Sequence, residues 1–344
     1  MAAELGPRTR AALDASRAAA ALYVVIHHLA QQHHATQGLG FVFRFGQEAV
    51  LVFFLISGFV IFANESDRAL KPRGYLLRRF RRIYPVLLAA MLVSTMVAWD
   101  NGTFKDQFSL RGLIGTLAAL QDVSSLKPGV IVDPYLGNTP LWSLSYEVAF
   151  YAVFPIVLAA WHRAPALANA LVGASACLGY CFYAALPNHF ALVVAYFLVW
   201  WCGAMAAHAY ISGRRSPAAM AGTLGWLGLL CVTAAVVVLI EGYNGLGTYP
   251  FLPLRHFTGA LLFLLVIFGP IGASVAAVVW PARNFFRGLS AISYGLYTLH
   301  YPLLVNWQRT QQGLGLVTGL ALLFALAWFI ERKLPEVLPA APRH

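Results

Sequence analysis

Charged residues are scarce in this sequence. Only 11% of the 344 residues are charged, and the acidic residues number 13. Soluble domains carry about a quarter of their residues as charged ones, so this composition excludes an ordinary soluble protein. Cysteine is scarce as well. The four cysteines lie within apolar stretches, which excludes a disulfide framework of the kind that staples small secreted domains.

The sequence is instead rich in long runs of apolar residues. Hydrophobic residues make up 60% of the chain, and the mean hydropathy is +0.68. A helix needs roughly 20 apolar residues to cross a bilayer, and runs of that length recur along the chain. The sequence predicts an all-α, polytopic integral membrane protein with one membrane domain over residues 1–344 and no appended soluble domain. The ten predicted spans are residues 12–31, 46–64, 83–99, 143–162, 166–186, 189–210, 221–240, 256–277, 291–308 and 313–331. Pro270 removes a helix hydrogen bond and predicts a kink in the eighth span.

The basic residues indicate how these spans are oriented. Lys and Arg concentrate in cytoplasmic loops. With the N-terminus inside, eighteen of the 24 basic residues fall on the inner side and six on the outer side. This asymmetry predicts that both termini are cytoplasmic. It also accounts for most of the formal net charge of +11, so membrane lipid is an expected partner and nucleic acid is not.

The first span begins with an arginine and ends in two histidines. Arg17 and His28 are 11 residues apart, which on a helix is about 20° past three full turns and about 16 Å of rise, so they share one face. Histidine is the side chain best suited to move a proton near neutral pH. The simpler explanation is that His27 and His28 mark the outer interface and Arg17 reaches the inner one. Asp14, three residues before Arg17, is also placed to pair with it.

Two motifs mark the predicted inner side of the next spans. Ser57 and Gly58 are small residues of the kind that let membrane helices approach closely. Arg79 and Arg82 are three residues apart, share one side of a helix and are able to grip phosphate groups. Positive charge that orients the span is the simpler explanation of these arginines.

The fourth span opens from outside with a carboxylate. Glu147 is predicted to lie on the same outer side of the membrane as His28, where it is placed to orient the histidine or to hold a sugar hydroxyl. An ordinary helix start explains it equally well, with Ser143 or Ser145 as the N-cap and Glu147 in the first turn.

The ninth span holds a histidine among tyrosines. Ser293 and His300 are seven residues apart on one helical face. A histidine within a span is a functional hypothesis by default, although Tyr294 and Tyr297 serve equally well as packing residues.

Together these stretches resemble the membrane acyltransferase type 3 family, multi-pass enzymes that O-acylate cell-surface glycans, lipid-linked sugars and some small molecules. Each motif alone is weak, but five in order over almost the whole chain make a specific match. They are the arginine, ten residues and histidine of Arg17 and His28; FFLISGF from Phe53; RRFRRIYP with Arg79, Arg82 and Pro85; WSLSYE with Trp142, Ser143 and Glu147; and SYGLYTLHYP from Ser293 to Pro302. Glu331 resembles the family's closing motif.

The resemblance implies a donor, an acceptor and a place in the cell. The donor is acyl-CoA from the cytoplasm, most often acetyl-CoA, used as a co-substrate with no tightly bound cofactor and no metal. The acceptor is a hydroxyl of a surface polysaccharide or lipid-linked glycan, and the location is a bacterial plasma membrane.

A multi-pass transporter of a glycan or small molecule is the alternative, because ten spans with buried polar residues also serve a substrate pathway.

The resemblance also implies roles for individual residues. His28 acts as general base or carries the acyl group, Glu147 orients it, and Arg17 lies toward the donor. A serine, Ser57 or Ser143, is a further possible acyl carrier. The expected donor-binding residues are Arg79, Arg82, Ser57, Ser293 and Tyr294. Further polar site candidates are Asp14, Ser143, Trp142 and His300.

Overall fold

The computed structural model describes residues 5–66, 69–214, 216–268 and 270–337. The described residues are 81% helical and contain no β-strand, which confirms the predicted all-α class. The helices are α1 (Pro7–Gln32), α2 (Gly46–Glu65), α3 (Pro72–Asp100), α4 (Phe104–Gln107), α5 (Leu110–Leu117), α6 (Trp142–Arg163), α7 (Pro165–Ala185), α8 (His189–Ile211), α9 (Ala221–Glu241), α10 (Phe251–Phe268), α11 (Pro270–Val279), α12 (Arg283–Ser290), α13 (Ser293–His300), α14 (Gly313–Trp328) and α15 (Leu334–Val337). Two of them continue as π-helical turns, α13 through Tyr301–Asn306 and α14 through Phe329–Lys333.

Local sequence sets several of these helix ends. Proline occupies the first position of α1, α3 and α7, where its fixed φ suits a helix and its missing N–H costs nothing. Asn188 caps α8, because its side-chain oxygen accepts a hydrogen bond from Ala191 N at 2.9 Å. Gly242 ends α9 with a φ of +86°, a conformation that glycine adopts without strain.

Seven of the described helical segments are long and apolar enough to cross a membrane, and each overlaps a predicted span. They are Gly46–Glu65, Pro72–Asp100, Thr139–Arg163, Pro165–Ala185, His189–Ile211, Pro217–Glu241 and Gly313–Lys333. The chain is therefore a multi-pass membrane protein.

The predicted eighth span is bent. Segments Phe251–Ile267 and Ile271–Val279 meet at 76°, which agrees with the kink expected near Pro270; Gly269 itself lies outside the described residues. The predicted span 12–31 falls on α1, which carries several charges. The predicted span 291–308 falls on α13 and its π-helical turn, which end at Asn306. Neither of these two helices meets the criterion of length and apolar composition that the seven segments meet. Residues 1–4 and 338–344 also lie outside the described residues, so the count of ten and the cytoplasmic termini stay predictions.

The centre of the fold is the contact between α2 and α8. A Cβ atom on Gly58 would lie 2.0 Å from the carbonyl oxygen of Trp200, and one on Gly203 would lie 2.0 Å from that of Leu55. The two backbones therefore touch at two glycines, which confirms the packing role predicted for Gly58.

The long loop between α3 and α6 is fastened to the helices by a buried ion pair. Lys127 Nζ lies 2.6 Å from Asp122 Oδ1, and both side chains are 1% exposed. The hydroxyl of Tyr146 on α6 donates to Asp122 Oδ2 at 2.5 Å, and His189 Nδ1 on α8 lies 3.6 Å from the same oxygen. The Lys127 ammonium also lies 4.2 Å above the Trp142 ring. We call these five residues the loop anchor.

Candidate active site

A cavity of about 390 Å³ opens among α1, α2, α3, α6 and α13. We call it the donor cavity. It gathers residues that the sequence analysis selected from separate stretches of the chain: Arg17, Ser57, Arg79, Arg82, Ser143, Glu147, Ser293 and Tyr294. Four other candidates do not line it: Asp14, His28, Trp142 and His300.

Glu147 belongs to a hydrogen-bonded group on the wall of the donor cavity. Its Oε1 accepts from Ser57 Oγ at 3.1 Å and from the hydroxyl of Tyr151, and Trp200 Nε1 donates to Ser57 Oγ at 3.2 Å. Helix α6 already begins at Trp142 without a side-chain cap. The helix-start interpretation is therefore wrong, because Glu147 lies in the second turn and faces the cavity.

The arginines of α3 already hold carboxylates. Arg78 and Arg79 both bind Glu65, at 2.5 and 3.0 Å. Arg82 Nη1 lies 2.7 Å from Glu331 Oε2, while Glu331 Oε1 accepts from Gly295 N at 2.6 Å. These carboxylates fix the guanidinium groups on the cavity wall, and an incoming phosphate would meet arginines whose charge is partly balanced.

Arg17 differs from the arginines of α3. Among the described residues its guanidinium makes no ion pair within 4 Å, and the expected pair with Asp14 does not form. Its charge interacts electrostatically with Arg82, Tyr151 and Glu147, and least with Asp14. Pairing with Asp14 therefore does not explain why an arginine occurs in the first span.

Replacing Arg82 with alanine is expected to lower the free energy of unfolding by about 2 kcal/mol, because Glu331, whose side chain is 0% exposed, loses its countercharge. The value lies below the cost of breaking a fully buried pair, since water in the cavity reaches the vacated position. Thermal melting of the detergent-solubilised protein measures the effect. The Arg82→Ala/Glu331→Gln double variant removes the unpaired charge and should recover most of the loss. An equal loss from the control Arg73→Ala, at an exposed position of the same helix, would argue against this explanation.

His28 pairs with His300 on α13. Nδ1 of His28 lies 3.0 Å from Nε2 of His300 and 3.1 Å from the carbonyl oxygen of Val24. Nδ1 of His300 lies 2.8 Å from the carbonyl oxygen of Tyr297. Because a carbonyl oxygen only accepts, Nδ1 of His300 carries the proton and Nε2 of neutral His300 is an acceptor. The proton of His28 is then on Nδ1, which leaves a lone pair on His28 Nε2, the arrangement that a base requires.

The predicted contact between Glu147 and His28 is absent. The described partners of Glu147 are Ser57 and Tyr151, whereas the His28 ring contacts the rings of His27, His300 and Tyr301. The sequence predicts that Glu147 and His28 lie on the outer side of the membrane, but the Glu147 carboxylate points into the donor cavity. Glu147 is therefore not the group that orients His28; among the described residues, the side chain that hydrogen-bonds His28 is His300.

The candidate Trp142 and His27, the neighbour of His28, both make structural contacts. His27 is buried, and its Nδ1 lies 2.5 Å from the carbonyl oxygen of Phe43. Trp142 belongs to the loop anchor and stacks on His256 with the ring centroids 6.2 Å apart. The contact of His27 lies near the end of α1, and the contacts of Trp142 lie at the start of α6.

The site also holds Tyr151, Tyr297 and Glu65, which the predicted site does not include; of these, the sequence analysis names Tyr297 only as a packing residue. Tyr151 is four residues after Glu147 and therefore on its face of the helix, a signal that was present. Tyr297 is four residues after Ser293, and its hydroxyl lies 2.9 Å from Ser143 Oγ. Glu65 gave no such signal, because it meets Arg78 and Arg79 across the turn between two helices.

Comparison with known proteins agrees with this geometry. The family model described as an acyltransferase domain, Acyl_transf_3, matches residues 10–331. Acyltransferase MdmB of Streptomyces mycarofaciens is 36% identical over 151 residues, which are 42% of this chain and 37% of that protein. Nodulation protein 10 of Rhizobium leguminosarum bv. viciae is 26% identical over 309 residues, covering 83% of this chain and 81% of the relative.

A third relative is the exopolysaccharide production protein ExoZ of Rhizobium meliloti, 34% identical over 124 residues, or 35% of this chain and 37% of that protein. No solved structure matches. Because the family match spans nearly the whole chain and contains the cavity, the arginines and the histidine pair, the chain belongs to the membrane acyltransferase type 3 family and is a multi-pass membrane acyltransferase.

Proposed function

We propose that this protein moves an acyl group, acetyl in the simplest case, from cytoplasmic acyl-CoA to a hydroxyl of a surface polysaccharide or lipid-linked glycan. One observation carries the proposal. The donor cavity, with its arginines, and the His28–His300 pair lie next to each other along one helix, since Tyr297 lines the cavity and His300 is one turn further on.

The charges of the donor cavity suit an anionic donor. Four arginine side chains line it, Arg17, Arg78, Arg79 and Arg82, together with the carboxylate of Glu147. Glu65 and Glu331 pair with the three arginines of α3, which leaves Arg17 as the lining arginine without an ion pair among the described residues. Arginine binds phosphate through paired hydrogen bonds, and the phosphates of coenzyme A are the anionic groups of the proposed donor. The start of α3 lies on the side that the basic residues predict to be cytoplasmic, where acyl-CoA is available.

The histidine pair supplies the proton transfer. In direct transfer, His28 Nε2 takes the proton of the acceptor hydroxyl while the oxygen attacks the thioester carbonyl carbon. The carbon–sulfur bond then breaks, the departing thiolate takes the proton from His28, and the ester and free coenzyme A are the products. In the alternative route, His28 Nε2 attacks the thioester carbon, the carbon–sulfur bond breaks and coenzyme A leaves as its thiolate. The acceptor hydroxyl then attacks the acyl carbon on His28, the carbon–nitrogen bond breaks, and the hydroxyl proton passes to the thiolate, which gives the same products. Both routes need the lone pair that the hydrogen bond to His300 directs to Nε2.

The relatives and the predicted topology support the proposed acceptor and location. ExoZ is by its printed name an exopolysaccharide production protein, and the other relatives include proteins described as putative O-acetyltransferases of Staphylococcus aureus. A polysaccharide acceptor and a bacterial plasma membrane are therefore part of the proposal, with acyl-CoA, glycan and membrane lipid as the partners.

The function is tested by mass spectrometry of surface glycans from a deletion strain. We expect ester-linked acyl groups to disappear from the glycans on deletion and to return with the wild-type gene but not with a His28→Ala gene. Unchanged acylation in the deletion strain would contradict the proposal. Unacylated glycan retained inside the cell would instead favour a transporter.

The Arg17→Gln variant is expected to raise the KM for acyl-CoA about tenfold, because a charged hydrogen bond to a phosphate is worth at least about 1.5 kcal/mol. The KM for the acceptor and the melting temperature should stay near their wild-type values, since Arg17 makes no ion pair among the described residues. Steady-state kinetics of protein in nanodiscs measure both constants. Arg10→Gln, an exposed arginine of the same helix, is the matched control; an equal effect there would show that general surface charge, and not Arg17, attracts the donor.

A further inference from the structure

A second cavity, of about 850 Å³, lies at the opposite end of α3. We call it the outer cavity; its walls are the end of α3, residues 130–137 of the long loop, and the end of the helix at residues 305–306. On α3 the donor cavity is lined between residues 78 and 83 and the outer cavity between residues 94 and 101. At 1.5 Å per residue these two sections are ~16 Å apart, so the two cavities lie at different depths of the fold.

Side-chain amides dominate the polar lining of the outer cavity. They belong to Asn101, Gln107, Asn306, Gln308 and Gln311. Two of them hold the wall together, because Asn101 Nδ2 donates to the Asn306 carbonyl at 2.7 Å and Gln311 Nε2 to the Val305 carbonyl at 2.9 Å. Within the described part of the chain, the side chains of Gln107, Asn306 and Gln308 make no hydrogen bond. An amide both donates and accepts, as a hydroxyl does, so these three are available to a ligand rich in hydroxyl groups.

The outer cavity carries no net charge among the described residues that line it. Its one cation, Arg111, donates through Nη2 to the Ile131 carbonyl at 2.5 Å. Its one anion, Asp133, accepts from Ser124 N at 2.9 Å and from Ser124 Oγ at 2.8 Å. Both charges hold the loop and balance each other. The cavity therefore differs from the arginine-rich donor cavity, and it favours a neutral polar ligand over a phosphate or an acidic sugar.

The histidine pair lies between the two cavities. Along the helix that begins at Ser293, Tyr297 lines the donor cavity, His300 bonds to His28, and Asn306 lines the outer cavity. The step from His300 to Asn306 is six residues, ~9 Å at the rise of a helix. The outer wall is also joined to this helix, because Asn138 Nδ2 donates to the Thr298 carbonyl at 3.0 Å and to Ser94 Oγ at 3.5 Å.

We propose that the outer cavity binds the acyl acceptor as a neutral saccharide chain, with the amides of Gln107, Asn306 and Gln308 on its hydroxyl groups. The inference rests on the proposed function for the identity of the ligand as acceptor, but the binding site itself is tested without catalysis. The volume falls within the ~300–1,000 Å³ of small-molecule sites, which is room for a short stretch of chain. The occupant is a sugar that enters from the side opposite the donor.

The experiment measures saccharide binding to the full chain in maltoside-free nanodiscs. An array of defined oligosaccharides serves as the probe, with neutral glucans, galactans, mannans and N-acetylglucosamine chains beside polygalacturonate and hyaluronate. A lipid-anchored maltotriose within the nanodisc is a separate arm. We expect binding of neutral chains and an affinity at least tenfold lower in the Asn306→Ala/Gln308→Ala variant. Gln37→Ala/Asn244→Ala, two exposed amides away from the cavity, is the matched control and should bind as the wild type does.

The outcomes separate this inference from the proposed function. Binding of free neutral chains supports a polysaccharide, and binding of only the anchored sugar supports a lipid-linked glycan; either supports the site. Binding of no neutral saccharide, equal binding of the acidic chains, or unchanged affinity in the Asn306→Ala/Gln308→Ala variant overturns it. The His28→Ala variant should still bind saccharide. If saccharide binds and no acylation occurs in the wild type, the function fails and the site stands. If acylation occurs and the Asn306→Ala/Gln308→Ala variant keeps the wild-type KM for the acceptor, the site fails and the function stands.

Discussion

Replacing His28 with alanine is expected to lower the rate of acyl transfer by about 10²–10⁴-fold while the protein still inserts and accumulates. That range is the contribution of a positioned general acid or base, and the same loss follows if His28 carries the acyl group. The side chain is half-buried, hydrogen-bonds His300 and the Val24 carbonyl, and contacts three rings, those of His27, His300 and Tyr301. Its removal therefore leaves the apolar packing between the helices in place.

The measurement is the initial rate of ester formation with acetyl-CoA, normalised to the amount of protein in the membrane. His27→Asn is the matched control, because the neighbouring histidine bonds only to the Phe43 carbonyl through Nδ1 and asparagine offers a donor there. We expect that variant to keep most of its activity. A His28→Ala protein with wild-type activity at wild-type abundance would exclude both chemical roles of His28.

The Asp122→Ala variant is expected to lose about 3–5 kcal/mol of unfolding free energy, because it leaves the Lys127 ammonium buried without its partner. Burial opposes the charge on Asp122, but the Lys127 ammonium and the hydrogen bonds from His189, Lys127 and Tyr146 outweigh it and hold the pKa of the carboxyl below its usual range. A carboxyl with a lowered pKa contributes its stability above the unfolded pKa and loses it as the pH falls through the folded pKa. The loop anchor should therefore weaken as the pH falls through the folded pKa of Asp122.

Chemical denaturation in detergent, followed by tryptophan fluorescence, measures the loss. Asp106→Ala, an exposed acidic residue in the same loop, is the control and should change the free energy by less than about 0.5 kcal/mol. The Asp122→Leu/Lys127→Met double variant removes both charges and should recover part of the stability. Equal stability of wild type and Asp122→Ala would mean that the loop is not held by this pair.

The helices and the residues that share a face were predictable from the sequence. Apolar runs long enough to span predicted eight of the segments found, including the bent one. Helical spacing placed Arg79 and Arg82 on one side of α3, and both line the donor cavity. These inferences succeeded because they depend on neighbours within one helix, where the geometry is fixed.

Contacts between distant helices were not predictable in the same way. His28 meets His300 from a position 272 residues away, and Arg82 meets Glu331 at the other end of the chain. The sequence predicts how far along a helix a residue lies, but the neighbours that its side chain meets depend on how the helices pack against one another. Glu147 shows the difference. Its position along α6 predicts a contact with His28, but its side chain leaves the helix toward Ser57 and Tyr151 and hydrogen-bonds them instead.

The glycine contact between α2 and α8 has a mechanical consequence. Backbones that touch at Gly58 and Gly203 have no side chain between them to yield, so the two helices behave as one stiff plate. Glu147 and Tyr151 of α6 are tied to that plate through Ser57 of α2, which also accepts a hydrogen bond from Trp200 of α8. Among the described residues, the opposite wall of α1, α3 and α13 makes no backbone-to-backbone glycine contact with the plate; Gly46 of α2 packs against the side chain of His27 on α1 instead. Any widening of the donor cavity that admits a pantetheine arm must therefore come from movement of this wall, while the plate stays still.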